Sequence, residues 1–196
     1  MAKGTQTRHA ILEAAMGIAA TEGLEALSIG RLADRVGLSK SGLFAHFRSK
    51  ETLQIQVIEF TRDHFVQHVL QPAVKAPRGE PRLVAFLEHW LAWSNDPQRE
   101  GGCVFLQAAA EFDDRPGAVR DALIETQVEW SDALARAAGL AVEEGHFRTD
   151  LDPRQFAFEM YAVIMSHHFH LRLLGDESSP QRTRSAFERL LEDARR

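Results

Sequence analysis

The amino-acid sequence predicts an all-α protein of about nine helices, and three observations support this prediction. Apolar residues recur at i, i+3, i+4 and i+7 in almost every segment, which is the spacing of a buried helix face. No segment shows the sustained alternation of apolar and polar residues that marks a half-buried strand. Proline, glycine and capping residues interrupt the periodic segments at helical intervals. The predicted architecture is a three-helix N-terminal head followed by a C-terminal helical bundle.

The head contains a motif of two short helices at about residues 28–47, preceded by a predicted helix over residues 7–21. Ser28 can cap the first helix of the motif, and Gly37 can adopt the left-handed conformation that ends it. Ser39 can cap the second helix, which starts only two residues later. Two short helices joined by a tight turn are typical of a helix-turn-helix, which presents its second helix to the major groove of DNA.

The second helix of the motif leaves a polar surface for DNA, because Leu38, Leu43 and Phe47 can close a small core beneath it. Lys50 opens the next helix, where its charge opposes the helix dipole unless an anion such as a DNA phosphate binds there. A solvated surface lysine is the alternative for Lys50. The residues that we expect at the DNA are Ser28, Ser39, Lys40, Ser41, Gly42, Phe44, His46 and Lys50.

Residues 8–60, which include ILEAA and ALSIGRLADRVGLSKSGLFAHFRSKETL, resemble the DNA-binding region of the TetR family of bacterial transcriptional regulators. The resemblance implies a DNA-binding domain, here residues 1–50, and a ligand-binding and dimerisation domain, residues 51–196. The family usually has Tyr at the position of Phe44, where the hydroxyl reaches a phosphate. Phe44 has no hydroxyl, so it would contact a thymine methyl or a sugar, or simply pack. His46 would touch phosphate or be a half-exposed packing residue.

The distribution of charge suits a DNA-binding head on a body that avoids DNA. Residues 1–50 carry a net charge of +3 and residues 51–196 carry −8, within a total of −5. One small basic head neutralises few phosphates, so two heads on a dimer would bind more strongly. The polar start, MAKGTQTRHA, and the lack of a long apolar run predict no signal peptide and no membrane span. A single cysteine, Cys103, fits a reducing cytoplasm.

Six further helices complete the prediction. A loop is expected around Pro72, Pro77, Gly79 and Pro81, and a second loop at residues 95–102. Asp152-Pro153 and Ser179-Pro180 mark the starts of the last two helices. The six predicted helices cover about residues 50–70, from 81 onward, 103–112, 117–144, 153–174 and from 180 onward.

Most aromatic residues follow residue 51, and they are expected to fill the core of the body or to line a pocket for an apolar or aromatic molecule. The resemblance implies a pocket between the fifth, sixth, seventh and eighth helices. The candidate ligand-binding residues are Trp90, Trp93, Phe105, Phe112, Trp130, Tyr161 and His167.

The predicted helix over residues 153–174 is apolar nearly all round, as expected of a helix that is buried on several sides. The resemblance implies that the last two helices pair with those of a second subunit. A two-fold dimer would place two recognition helices about 34–36 Å apart, or a multiple of this, on a roughly palindromic operator.

Histidines offer a rival hypothesis from another class of protein, a metal-dependent helical protein. His64 and His68 stand at i, i+4, and three more histidines occur at 167, 168 and 170. There is no H-E-x-x-H and no cysteine pair, so half-buried structural histidines are the simpler interpretation. Cys103 could be an oxidation sensor or a buried structural cysteine.

No phosphate loop, nucleophile elbow or catalytic triad spacing is present, so the sequence predicts neither an enzyme nor a cofactor. We therefore expect a cytoplasmic, homodimeric, ligand-responsive transcriptional regulator that binds double-stranded DNA and a small-molecule effector. A repressor is the favoured form. A second rival keeps the DNA binding without the pocket, as an architectural or cell-division regulator.

Overall fold

The structure is a computed structural model that describes residues 2–96 and 101–195, with side chains from residue 7 onward. Within these ranges the chain forms nine helices of eight or more residues and no strand, which confirms the all-α prediction. The helices are α1 (Ala2–Glu22), α2 (Ile29–Val36), α3 (Lys40–Phe47), α4 (Lys50–Phe65), α5 (Glu80–Ser94), α6 (Val104–Phe112), α7 (Ala118–Glu143), α8 (Pro153–Arg172) and α9 (Ser179–Arg195).

The predicted helix boundaries differ from the observed ones by more than two residues at two places. α1 begins at Ala2, five residues before the predicted start. Beyond Phe65 the helical path continues through a π-helical turn, Val66–Leu70, and a short helical segment, Gln71–Ala73. Pro72 lies inside this continued helical path, so it does not end the helix as expected. Of the predicted loop at 95–102, residues 97–100 lie outside the described residues.

The residue contacts divide the described chain into two compact units. Unit 1 combines the residues up to His64 with the segment Asp96–Thr126, and unit 2 combines Phe65–Asn95 with Gln127–Arg196. Each unit has its own apolar core. The core of unit 1 includes Leu24, Leu27, Leu32, Leu43, Phe47 and Leu53, and that of unit 2 includes Leu83, Leu87, Trp90, Leu134, Phe156 and Met160.

Two glycines explain how the segment after residue 100 packs on the end of α1 within unit 1. A Cβ added at Gly101 would lie 2.2 Å from the carbonyl oxygen of Ala20, and the N–H of Gly102 donates to that same oxygen. A Cβ at Gly23 would collide with the carboxylate of Glu111, the last but one residue of α6. Both glycines also have positive φ angles, 77° and 93°, so no other residue fits easily at either position.

Candidate nucleic-acid interface

Two helix N-caps and one left-handed glycine define the helix-turn-helix, as the sequence predicts. The Ser28 hydroxyl oxygen accepts from the Arg31 N–H at 3.2 Å, which caps α2. Gly37 is left-handed, with φ 66°, and its N–H donates to Ala33 at the end of the same helix. The Ser39 hydroxyl oxygen accepts from the Gly42 N–H at 3.1 Å, which caps α3. These contacts fix where α2 ends and where α3 begins.

One side of α3 is open to solvent. Leu43 and Phe47 are fully buried beneath it, as predicted. Leu38 was expected in the same core, but it is 41% exposed because it lies in the turn after Gly37, outside both helices. Phe44 is 56% exposed, so its ring is not part of the core of unit 1. The other exposed positions in and around this helix are Ser39, Lys40, Ser41, Gly42, Ala45 and His46.

Lys50, the first residue of α4, has an acidic partner that the sequence did not reveal. Its Nζ donates to the Glu25 carboxylate at 2.8 Å and to the Glu25 carbonyl oxygen at 2.6 Å. The hydrogen bond from Lys50 is the main reason that the pKa of Glu25 lies below its ordinary value. The anion at the start of α4 is therefore a side chain of the protein itself. Only the fold brings this loop residue to that helix end, so no local signal could have identified it.

Arg48, which lies between α3 and α4, is a second residue that the sequence analysis missed. Among the residues that the structure describes, Arg48 is the single non-glycine residue with a positive φ angle, 60°. The Ser49 N–H donates to the Phe47 carbonyl at 2.6 Å, so the chain turns tightly around an exposed cation. A conformation of this kind costs on the order of 1–3 kcal/mol and often marks functional positions.

The candidate ligand-binding residues fall into both units. Phe105 and Phe112 are buried in unit 1, and the other five belong to unit 2. In unit 2, Phe65 meets Trp93 and Trp130 edge-on, with ring centroids 5.3 and 5.0 Å apart. Tyr161 donates its hydroxyl to Gln127 at 2.6 Å. Unit 2 therefore contains an aromatic cluster that is mostly buried.

His167 is held by a polar network within unit 2, where it is 1% exposed. Its Nδ1 lies 3.0 Å from the Ser179 hydroxyl and 3.2 Å from that of Thr183, and its Nε2 lies 3.3 Å from Asn95 Oδ1. Burial lowers the pKa of His167, which favours the neutral ring. Trp90 stands edge-on to that ring, with centroids 5.5 Å apart.

Among the described residues, no group of three histidine, cysteine or carboxylate side chains is placed to hold a metal ion. Cys103 is buried. No helix in this part of the chain has the length and apolar character needed to cross a membrane.

α8 carries an outward apolar surface in the single chain, although its sequence predicted burial on several sides. The surface consists of Phe158, Met165, Phe169, Leu173 and Leu174, the last two lying at and just beyond the end of the helix, and these side chains are 50–70% exposed. Large apolar side chains exposed side by side are typical of an interaction surface.

Two family models match the chain. Residues 11–57 match "Bacterial regulatory proteins, tetR family", and residues 79–187 match "Tetracyclin repressor-like, C-terminal domain". No curated protein matches the chain at a significant level.

Many solved structures are similar to it. One is a TetR-family transcriptional regulator from Streptomyces coelicolor, with a TM-score of 0.84 and 18% identity over 98% of this chain and 97% of that one. A second is the regulator AibR in complex with isovaleryl coenzyme A and operator DNA, with a TM-score of 0.73 and 21% identity over 95% of this chain and 97% of that one. A third is a putative transcriptional regulator from Saccharomonospora viridis in complex with choline, with a TM-score of 0.76 and 23% identity over 96% of each chain. At these identities the likeness is one of fold.

Proposed function

We propose, since the chain belongs to the TetR family of bacterial regulatory proteins, that it is a repressor which a small effector releases from its operator. TetR-family regulators are DNA-binding proteins and not enzymes. The observation that carries the proposal is the capped helix α3, whose outer side is exposed and carries Lys40, Ser41 and Phe44, while Leu43 and Phe47 anchor its inner side. A helix held in this way can enter the major groove without any change in its own structure.

The DNA-binding residues are those at the two caps and on the exposed side of α3, together with Lys50. Lys40 reads base edges or phosphate from the first turn of α3. Phe44 supplies an apolar contact to a thymine methyl or a sugar, because its exposed ring has no hydroxyl. Arg48 joins this set as a phosphate contact. The DNA-binding residues predicted from the sequence are Ser28, Ser39, Lys40, Ser41, Gly42, Phe44, His46 and Lys50.

The effector is a small apolar or aromatic molecule that binds the C-terminal part of the chain, residues 51–196. Two regulators of similar fold are described in complex with choline and with isovaleryl coenzyme A, which supports an organic effector but not its apolar or aromatic character. In unit 2 the residues proposed to contact an effector are Trp90, Trp93, Trp130 and Tyr161, with His167 as a polar partner, and in unit 1 they are Phe105 and Phe112. An effector releases the operator only if it binds the released conformation more tightly than the DNA-bound one.

The working form is a cytoplasmic homodimer that uses the apolar surface of α8 as its interface, and it reads a palindromic operator. The exposed Phe158 and Leu173 favour this assembly because burying them against a second copy removes apolar area from water. Residues 1–50 of each copy then form one of two DNA-binding domains.

Selection of duplexes from a random-sequence pool by the purified protein tests the DNA-binding function. The proposal expects an enriched palindromic sequence. Lys40→Ala should weaken binding to the selected duplex about tenfold, which corresponds to about 1.4 kcal/mol. Lys75→Ala is the matched control, because Lys75 is an exposed lysine of unit 2. Failure to enrich any sequence, or equal effects of the two variants, would contradict the proposal.

A further inference from the structure

Glu25 lies between two cations of unit 1. One carboxylate oxygen is 2.8 Å from Lys50 Nζ, and the other is 3.5 Å from an amino group of the Arg115 guanidinium. Arg115 follows α6, whereas Lys50 opens α4, so a single negative charge is shared between two separate elements. All three side chains are about half exposed, which leaves each of them able to move or to exchange partners.

The loop that carries Glu25 is fixed to the end of α6. The Glu25 N–H donates to the Glu111 carboxylate at 2.8 Å, and Gly23 lies against the same carboxylate. Arg115 also lies over the ring of Phe112, with its guanidinium carbon 5.8 Å from the centroid. Phe112 is 7% exposed and is one of the residues proposed for the effector site. A continuous set of contacts therefore runs from Phe112 through Arg115 and Glu25 to Lys50.

We propose that Glu25 competes with a DNA phosphate for Lys50, and that Arg115 controls how strongly it competes. This inference rests on the proposed role of Lys50 in DNA binding. While Arg115 shares the carboxylate, Lys50 keeps part of its charge for the phosphate backbone. When Arg115 moves away, the carboxylate neutralises Lys50 alone and the attraction to DNA falls. A shift of Phe112 on effector binding would move Arg115 in this way.

Five variants of the full-length protein test the competition: Glu25→Gln, Arg115→Ala, Lys50→Ala, and the two double variants that combine Glu25→Gln with Arg115→Ala or with Lys50→Ala. The probe is a fluorescent duplex that the wild-type protein has selected from a random pool. Glu25→Gln should strengthen binding about threefold and increase the magnitude of the salt slope by about one, because one more phosphate is neutralised. Arg115→Ala should weaken binding about threefold. In the Glu25→Gln background, adding Arg115→Ala should not change the affinity for the duplex, since the carboxylate through which Arg115 acts is gone. In a Lys50→Ala background, Glu25→Gln should also have no effect.

Arg120→Ala is the control for simple loss of a positive charge. Arg120 lies near Arg115 in the chain, but its Nε donates to the Asp113 carbonyl at 3.0 Å and not to Glu25. It should change affinity equally in the Glu25 and Glu25→Gln backgrounds. Thermal unfolding checks that each variant folds, and Glu25→Ala provides a second removal of the carboxylate that should act in the same direction.

The competition for Lys50 and the DNA-binding function can be refuted separately. If Lys50→Ala weakens binding but Glu25→Gln leaves affinity and salt slope unchanged or weakens binding, the competition is refuted and the DNA-binding function stands. An Arg115→Ala effect that persists in the Glu25→Gln background also refutes it. If the wild-type protein selects no duplex, the proposed function fails and the competition fails with it.

Discussion

Acidification from pH 6.5 to 5.5 should destabilise the folded protein through His167. The ring is buried against Trp90, and its two nitrogens face the hydroxyls of Ser179 and Thr183 on one side and the Asn95 amide on the other. Burial is the main cause that lowers the pKa of His167 below its ordinary value of 6.5. The unfolded chain therefore binds more protons than the folded chain just below this pH, and stability falls as the pH falls.

The size of the effect has an upper limit. If the His167 ring stays neutral in the folded state throughout, the free energy of unfolding decreases by about 1 kcal/mol between pH 6.5 and 5.5. Carboxyl groups contribute at lower pH. The pKa values of Glu25, Glu80 and Asp176 are lowered from 4.5, 4.5 and 3.8, so the stability they provide is lost mainly below this window.

Urea unfolding at both pH values measures this effect. The protein concentration is kept the same throughout, because dimerisation makes the apparent stability depend on it. His167→Gln removes the titrating group, so the variant should lose up to about 1 kcal/mol less than the wild type on acidification. The titration of His168, whose pKa is also lowered by burial, remains in both proteins and cancels in the difference. His9→Gln, at an exposed position, serves as the control. An equal loss in wild type and His167→Gln would refute the reasoning.

Three further predictions concern stability and assembly. Gly101→Ala should lower the free energy of unfolding by more than Gly175→Ala, because both have positive φ angles but only Gly101 lacks space for a Cβ; thermal unfolding compares them. Ser39→Ala should destabilise α3 by about 1 kcal/mol, seen as faster amide hydrogen exchange within that helix, and unchanged exchange would contradict the capping role. Leu173→Glu should convert a dimer to a folded monomer in sedimentation, whereas a persistent dimer would place the interface elsewhere.

The features that the sequence predicts well depend on neighbours in the chain. The caps at Ser28 and Ser39 involve residues three positions away, and Gly37 ends α2 through a contact to Ala33. Such interactions are encoded locally, so residue type and spacing are sufficient to find them. Membership of the family followed from the same stretch of sequence, since its spacing is kept throughout residues 8–60.

The features that the sequence did not predict depend on contacts between distant segments. Glu25 meets Lys50 across 25 positions and Glu111 across 86, and neither pairing leaves a pattern in the local sequence. The helical segment Gln71–Ala73 was also missed, because Pro72 usually signals the end of a helix. The DNA contacts, the effector residues and the domain boundary at residue 50 stay predictions.

The construction of unit 1 from two separate stretches of chain has a consequence for biosynthesis. A ribosome releases the helix-turn-helix before it has made the segment Asp96–Thr126, which contains Glu111, the residue that meets both Gly23 and the Glu25 N–H. Until then the end of α1 and the following loop lack their contacts to this segment. Truncated translation products that stop before it should therefore carry a less completely folded N-terminal region, and nascent chains should gain full protease resistance there only after the segment has emerged.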